Sequence, residues 1–155
     1  MKKITFILLA FAMLSTVFVS CKKDEETVKA AGSASASLTV GSAAAVTWTA
    51  TAATAVKSGT SYTITALGAG SSSLVIKVDN VTAAGTYNLT TATRTATFTT
   101  GGKTYATTNG GGGNIIITSL ASDKIEGTFL AEMFDGTTSA AVYCSLGSGK
   151  FSASF

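Results

Sequence analysis

The sequence predicts an all-β protein, an antiparallel β-sandwich or barrel-like domain that follows a signal peptide and a flexible tether. Apolar and polar residues alternate with period two in one short run after another. Clusters rich in glycine, serine and asparagine separate these runs, and no run after the leader shows a helical period. Short strands with glycine-rich turns are typical of sandwiches and barrels.

The first 20 residues have the layout of a lipoprotein signal peptide. Lys2 and Lys3 give a positive start, residues 4–19 are mostly apolar, and the small residue Ser20 precedes Cys21. The alternative is a membrane-spanning helix, which needs about 20 apolar residues, more than this stretch contains. We therefore expect cleavage before Cys21 and lipidation of Cys21, which makes a membrane its predicted partner.

The mature chain is expected to consist of a tether and one domain. Residues 21–36 are first charged and then small and polar, without apolar periodicity, and this composition predicts a lipidated flexible tether. Residues 37–155 are numerous enough to form a single domain with its own core.

Four strands are predicted in the first half of this domain. Val46 and Trp48 should face inward in the second strand, and Tyr62 should face inward in the third because it alternates with serine and threonine. Ile76 has the same role in the fourth strand. The four runs are residues 37–40, 45–56, 60–67 and 72–79.

Five more strands are predicted in the second half. Phe98 alternates with threonines and should face inward, whereas the three isoleucines of residues 115–117 predict a strand covered on both sides. Cys144 shares a face with apolar neighbours, which predicts a buried side chain; the chain has no histidine to activate a thiol. The runs are residues 94–100, 114–119, 124–134, 140–146 and 150–155.

Glycine-rich segments predict the turns between these runs, and a short helical turn is expected near residues 82–85. The predicted turns are residues 57–59, 68–70, 101–102, 109–113, 135–136 and 147–149.

Three segments resemble the DUF6252-like family, a domain of unknown function that recurs in small Bacteroidetes lipoproteins. They are VTWTA at residues 46–50, the run from LVIKV to GTYNL at residues 74–89, and the run from NIIIT through IEGTF to GKF at residues 114–151. These motifs are structural rather than chemical. The resemblance therefore implies a fold, and the family has no established activity to transfer.

The residues around Cys21 resemble the processing site of Bacteroidetes-type lipoproteins, which implies an outer-membrane location through a lipid anchor. In such proteins a lysine followed by acidic residues resembles a signal for export to the cell surface. By that resemblance Lys23, Asp24, Glu25 and Glu26 form a surface-export signal. The alternative is a solvated spacer, so the surface and periplasmic sides both stay open.

Composition and charge exclude several classes of function. Without Lys2 and Lys3, the eleven basic residues fall to nine, against eight acidic ones. A nucleic-acid partner is not expected, because such a protein needs a clustered basic face. The absence of histidine excludes Ser-His-Asp catalysis and histidine-containing zinc sites, and no cofactor is predicted.

The acidic residues supply an alternative function, a carbohydrate-active hydrolase of the envelope with paired carboxylates. Glycosidases hold two carboxylates roughly 5–9 Å apart. Glu126 and Glu132 are six positions apart, so on one straight strand they would share a face about 20 Å apart. Asp123 and Asp135 complete the acidic cluster. We favour solvated surface charges.

Tyr105 is the candidate for contact with a ligand, because it lies beside glycine turns and its ring can stack on a sugar. The favoured function is a non-enzymatic lipoprotein of unknown activity, whose β domain either binds a glycan or protein partner or is purely structural. The alternative is the hydrolase.

Overall fold

The computed structural model describes residues 32–136 and 142–155, and these residues form ten strands with one single-turn 3₁₀ helix. The predicted all-β class is confirmed. In these ranges no helix is long and apolar enough to cross a bilayer. The strands are β1 (Ser33–Val40), β2 (Val46–Ser58), β3 (Ser61–Gly68), β4 (Ser73–Val78), β5 (Gly85–Asn88), β6 (Arg94–Thr100), β7 (Lys103–Ala106), β8 (Gly112–Leu120), β9 (Lys124–Phe134) and β10 (Tyr143–Ser154); the 3₁₀ helix is Thr107–Asn109.

Eight strands close an antiparallel barrel, so of the two predicted architectures the protein adopts the barrel. Around the ring the order is β1, β2, β3, β4, β6, β7, β9 and β10, and β10 pairs with β1. The β7–β9 contact is a single pair, Ala106 with Phe134. It is short because β8 covers the same edge of β9 from Ile125 to Glu132, and β5 lies outside β8.

The interior of the barrel is filled with apolar side chains. Alternation along each strand turns every second residue inward, and an eight-stranded barrel is just wide enough for side chains to fill. The largest fully buried side chains are Tyr62, Phe98, Ile64, Leu74, Ile76, Leu89, Ile115, Ile117, Ile125, Met133, Leu146 and Val78.

Trp48 is buried, as predicted, and its polar end is satisfied. Its indole Nε1 donates to Ser72 Oγ at 2.9 Å, and that hydroxyl donates to the Ala69 carbonyl at 2.7 Å. The indole meets the ring of Phe98 edge-on, with the centroids 5.4 Å apart. Gly68, the last residue of β3, lies so close that a Cβ there would be 2.5 Å from Nε1, so this position requires glycine.

The segment between β4 and β6 contributes to the core. Val81 and Leu89 are buried, and the Val81 amide donates to the Thr60 carbonyl in the β2–β3 turn. No helical turn forms at residues 82–85, where one was predicted. Instead the chain enters β5, whose Tyr87 ring lies 5.2 Å from the Arg94 guanidinium.

Two predicted faces are wrong. Val46 begins β2 but is 57% exposed, because it lies at the end of the strand, beyond the packed interior. Ile116 is 39% exposed between the buried Ile115 and Ile117, so β8 is covered on one side only. The isoleucine run therefore reflects the β propensity of isoleucine on an outer face rather than burial on both faces.

Two predicted boundaries also change. β1 begins at Ser33, so residues 33–36 belong to the sheet and not to the tether. The glycines of residues 147–149 lie within β10 rather than in a turn, because the pairing with β9 shifts register between Leu146 and Gly149. The predicted start of that strand at residue 140 falls outside the described residues.

Candidate functional site

Several predicted site residues lie outside the part of the chain that the structure describes. These are the lipidation site Cys21 and the export-signal residues Lys23, Asp24, Glu25 and Glu26. The described chain begins at Gly32, which is tied to β2 by reciprocal backbone hydrogen bonds with Ala53 of 3.0 and 2.9 Å. The sheet is therefore anchored eleven positions after Cys21.

Tyr105 does not contact solvent as a ligand candidate would, and its predicted exposure is wrong. The residue is 2% exposed, and on β7 it pairs with the inward-facing Phe98 of β6. Burial raises the pKa of its hydroxyl, as do the negative charges of ionised Cys144 and Asp135 to a smaller extent. The glycine turns beside Tyr105 do not indicate this orientation, which is set by the pairing register between β7 and β6.

Tyr143 is the most exposed of the four tyrosines, and sequence reasoning missed it. It is 40% exposed at the start of β10, where it pairs with Phe134 of β9. The next pair on the same outer face is Ser145 with Glu132. An aromatic ring, a hydroxyl and a carboxylate therefore line one small area. The sequence signal for its exposure was its position next to Cys144: because Cys144 faces the core, the adjacent residue of the strand faces outward.

Cys144 is fully buried, as predicted, and burial raises the pKa of its thiol to about 11. A thiol in this state is a poor nucleophile, because the reactive species is the thiolate.

The raised thiol pKa predicts a loss of stability in alkaline solution. The unfolded thiol ionises near its ordinary pKa of 9.0 and the folded thiol near 11. Its contribution to the free energy of unfolding is therefore complete below pH 9 and is lost as pH rises toward 11. Urea unfolding across this range should show a shallower decline for Cys144→Ala than for the wild type. Equal slopes of unfolding free energy against pH in the two proteins would contradict the assignment of this decline to Cys144. Tyr105, whose pKa is also raised, is present in both proteins and contributes to both slopes.

The two acidic residues of β9 lie well apart along the strand. Glu126 and Glu132 both lie on the outer face, with five residues of extended strand between them. Lys124 Nζ lies 2.6 Å from Glu126 Oε1. The Lys124 hydrogen bond is the main cause that lowers the pKa of Glu126. Desolvation opposes it, and the lysine charge and a hydrogen bond from Ser152 add to the lowering. Within the described residues no three acidic or cysteine side chains cluster as metal ligands.

An open groove of about 330 Å³ lies on the outside of the barrel where β1, β2 and β10 meet. Thr49, Ser35 and Lys150 form one row across these strands. Ser33 and Ser152 form the next row, with the buried Ala34 and Phe151 between the rows. The register of β1 shifts between Ser35 and Ser37, which interrupts the surface here.

The groove is hydroxyl-rich and carries one cation without a partner. Lys150 is exposed and makes no ion pair with any described side chain, whereas Lys124 nearby is neutralised by Glu126. Ser152 also forms a side-chain hydrogen bond with Glu126, so the Glu126 carboxylate already interacts with both Lys124 and Ser152. The groove therefore presents hydroxyl donors and one positive charge, a set suited to an oxyanion.

Comparison with known proteins identifies the family. The profile of a domain of unknown function, DUF6252, matches residues 36–152, from the middle of β1 to near the end of β10. The chain belongs to the DUF6252 family. The match includes at least part of every strand of the ring and both glutamates of β9. No curated protein and no solved structure is significantly similar to the chain. The family description includes no activity, so function has to be argued from the chain itself.

Proposed function

We propose that this protein is a lipoprotein of the Bacteroidetes type, anchored in the outer membrane through a lipid on Cys21. Its barrel serves as a non-enzymatic binding or structural domain. The observation that carries the proposal is the leader, in which two lysines, an apolar stretch and Ser20 precede a cysteine. Two or more acyl chains give stable anchoring, because each buried methylene contributes about 0.8 kcal/mol.

Substitution of Cys21 by alanine should abolish anchoring. We expect the wild-type protein to partition with the membrane and to carry acyl chains on its first mature residue by mass spectrometry. Cys21→Ala should keep its leader and lack the acyl mass. Cys144→Ala is the matched control, and it should be processed and lipidated normally. An unmodified Cys21 thiol in the wild-type protein would contradict the proposal.

Exposure at the cell surface is a separate part of the proposal. It rests on the resemblance of Lys23, Asp24, Glu25 and Glu26 to an export signal. Protease treatment of intact cells tests it. A surface-exposed barrel should be digested in wild-type cells and protected when these four residues are replaced by alanine. Equal protection in both strains would place the barrel on the periplasmic side.

Two features support a non-enzymatic role. The barrel interior is filled with side chains, so a ligand has only outer surfaces and rims to contact. A glycosidase needs one carboxyl with a raised pKa as its proton donor, whereas the pKa of Glu126 is lowered. A glycan is the favoured partner for the outer face, because exposed Tyr143 lies beside Glu132 and Ser145.

The hydrolase alternative is tested by replacing Glu126, Glu132 and Asp135 with their amides. We expect binding to envelope polysaccharide to be retained, because each amide keeps a carbonyl oxygen that can accept a hydrogen bond from a sugar hydroxyl, and no chemistry is proposed for these carboxylates. The free energy of unfolding should change little from the loss of the Lys124–Glu126 pair, because ion pairs on the surface contribute little to stability. Loss of a polysaccharide-cleaving activity that the wild type possesses would favour the hydrolase.

A further inference from the structure

The groove between β1 and β10 lies next to the point where the chain leaves the barrel toward Cys21. Ser33 lines the groove, and Gly32 before it is held to β2 by two hydrogen bonds. Eleven residue steps separate Gly32 from Cys21. Even a fully extended chain of this length spans at most about 36–40 Å. A lipid on Cys21 would therefore keep the start of β1, which lines the groove, within about 40 Å of the bilayer.

The chemistry of the groove complements a phosphate group. Lys150 provides an ammonium without a carboxylate partner among the described residues. Hydroxyls of Ser35 and Thr49 lie in its row, and that of Ser33 lies in the next. Phosphate oxygens accept hydrogen bonds from ammonium and hydroxyl groups, and basic residues near an anionic membrane surface favour its approach.

We propose that this groove docks onto phosphate headgroups of the membrane that holds the lipid on Cys21, with Lys150 as the charged contact. The inference rests on the proposed lipid anchor and adds an orientation to it. The wall formed by β1 and β10 faces the bilayer. The wall formed by β4, four strands from β10 around the ring of eight, faces away. Lys77 is exposed on that opposite wall and serves as the internal control.

Amine acylation of the full lipidated protein, read by mass spectrometry, tests the orientation. The protein is reconstituted in phosphatidylcholine vesicles with or without phosphatidylglycerol, and in neutral detergent micelles. We expect Lys150 to react about fivefold more slowly in the anionic vesicles than in micelles, the effect of about one basic residue at such a surface. Lys77 should react at the same rate throughout.

The same samples separate the competing outcomes. Equal labelling of Lys150 and Lys77 in anionic vesicles overturns the docking proposal. Equal protection of Lys150 by inorganic phosphate in micelles also overturns it, because the groove would then be a site for a small anion. The mass of the first mature peptide reports on the anchor independently. An acylated Cys21 with an unprotected Lys150 refutes docking alone, whereas an unmodified Cys21 refutes the anchor and docking together.

A substitution provides a second test that does not depend on labelling Lys150 itself. Lys124 lies on the adjacent strand β9, four positions before the Thr128 that pairs with Lys150, so docking should also slow its acylation in anionic vesicles. This protection should disappear in Lys150→Gln, whereas Lys77→Gln should leave it unchanged. Both positions are exposed, so neither variant is expected to unfold. Persistent protection of Lys124 in Lys150→Gln would show that Lys150 is not the charged contact.

Discussion

Gly127→Ala is expected to lower the free energy of unfolding by about 3 kcal/mol. A Cβ at this position would overlap the carbonyl oxygen of Ile116 on β8 and would lie 2.9 Å from the ring of Phe151 on β10. A backbone oxygen cannot move aside as the end of a flexible side chain can. The methyl group would therefore push β8 away from β9, where β8 and its partner β5 are attached.

Gly147→Ala is the matched control for this effect. It adds the same methyl group in the neighbouring strand, but no atom lies within 4 Å of the new Cβ. Its free energy of unfolding should stay within about 0.5 kcal/mol of the wild type. Urea denaturation followed by the fluorescence of Trp48, the one tryptophan of the chain, measures both variants. Equal stability of the two variants would show that β8 does not approach Gly127 this closely.

Phe98→Ala is expected to cost roughly 3–5 kcal/mol, the usual range for emptying a core aromatic position. Phe98 is fully buried on β6, between Leu74 on β4 and Tyr105 on β7. Its ring also supports the indole of Trp48 edge-on. Truncation would leave a cavity in the middle of the barrel and remove the aromatic neighbour of the one tryptophan.

Two further variants separate packing from a general effect of losing apolar surface. Val56→Ala removes apolar atoms from a residue that is 68% exposed and should change stability by at most about 0.5 kcal/mol. Phe98→Leu should be intermediate, because it keeps part of the volume. The Trp48 emission of folded Phe98→Ala should shift as well. A loss below about 1 kcal/mol in Phe98→Ala would mean that the interior is not packed around this ring.

The prediction of strands succeeded where apolar and hydroxyl residues alternate over six residues or more. β6 was predicted with its observed bounds, and β3 and β4 differ from their predicted runs by one residue at each end. These strands depend on side-chain direction, which is a local property of extended backbone. β5 and β7 were missed because each has four residues, too few for a period to stand out beside glycine turns.

The candidate sites also divide into those that local sequence indicates and those that depend on strand pairing. Cys21 can be recognised from sequence because its signal is a contiguous arrangement of charge, apolar length and a cysteine. The groove gives no such signal, because residues 33–35 of β1, Thr49 of β2 and residues 150–152 of β10 meet only through strand pairing. Tyr105 was misplaced for a related reason: its orientation depends on its register with Phe98, not on the glycines beside it.

The amino-acid sequence by itself determined that the domain is built from strands, and which side chains of most strands point into the core. It could do so because residues along a strand alternate between two faces whatever the strand pairs with. Only the tertiary structure decided that the sheet closes into a barrel and that Lys150 lies beside the start of the domain. Closure depends on the pairing of β10 with β1 from the opposite end of the chain. It also depends on β7, which pairs with β9 only at Phe134, beyond the part of β9 that pairs with β8. Contacts between strands so distant in sequence leave no periodic trace in either one.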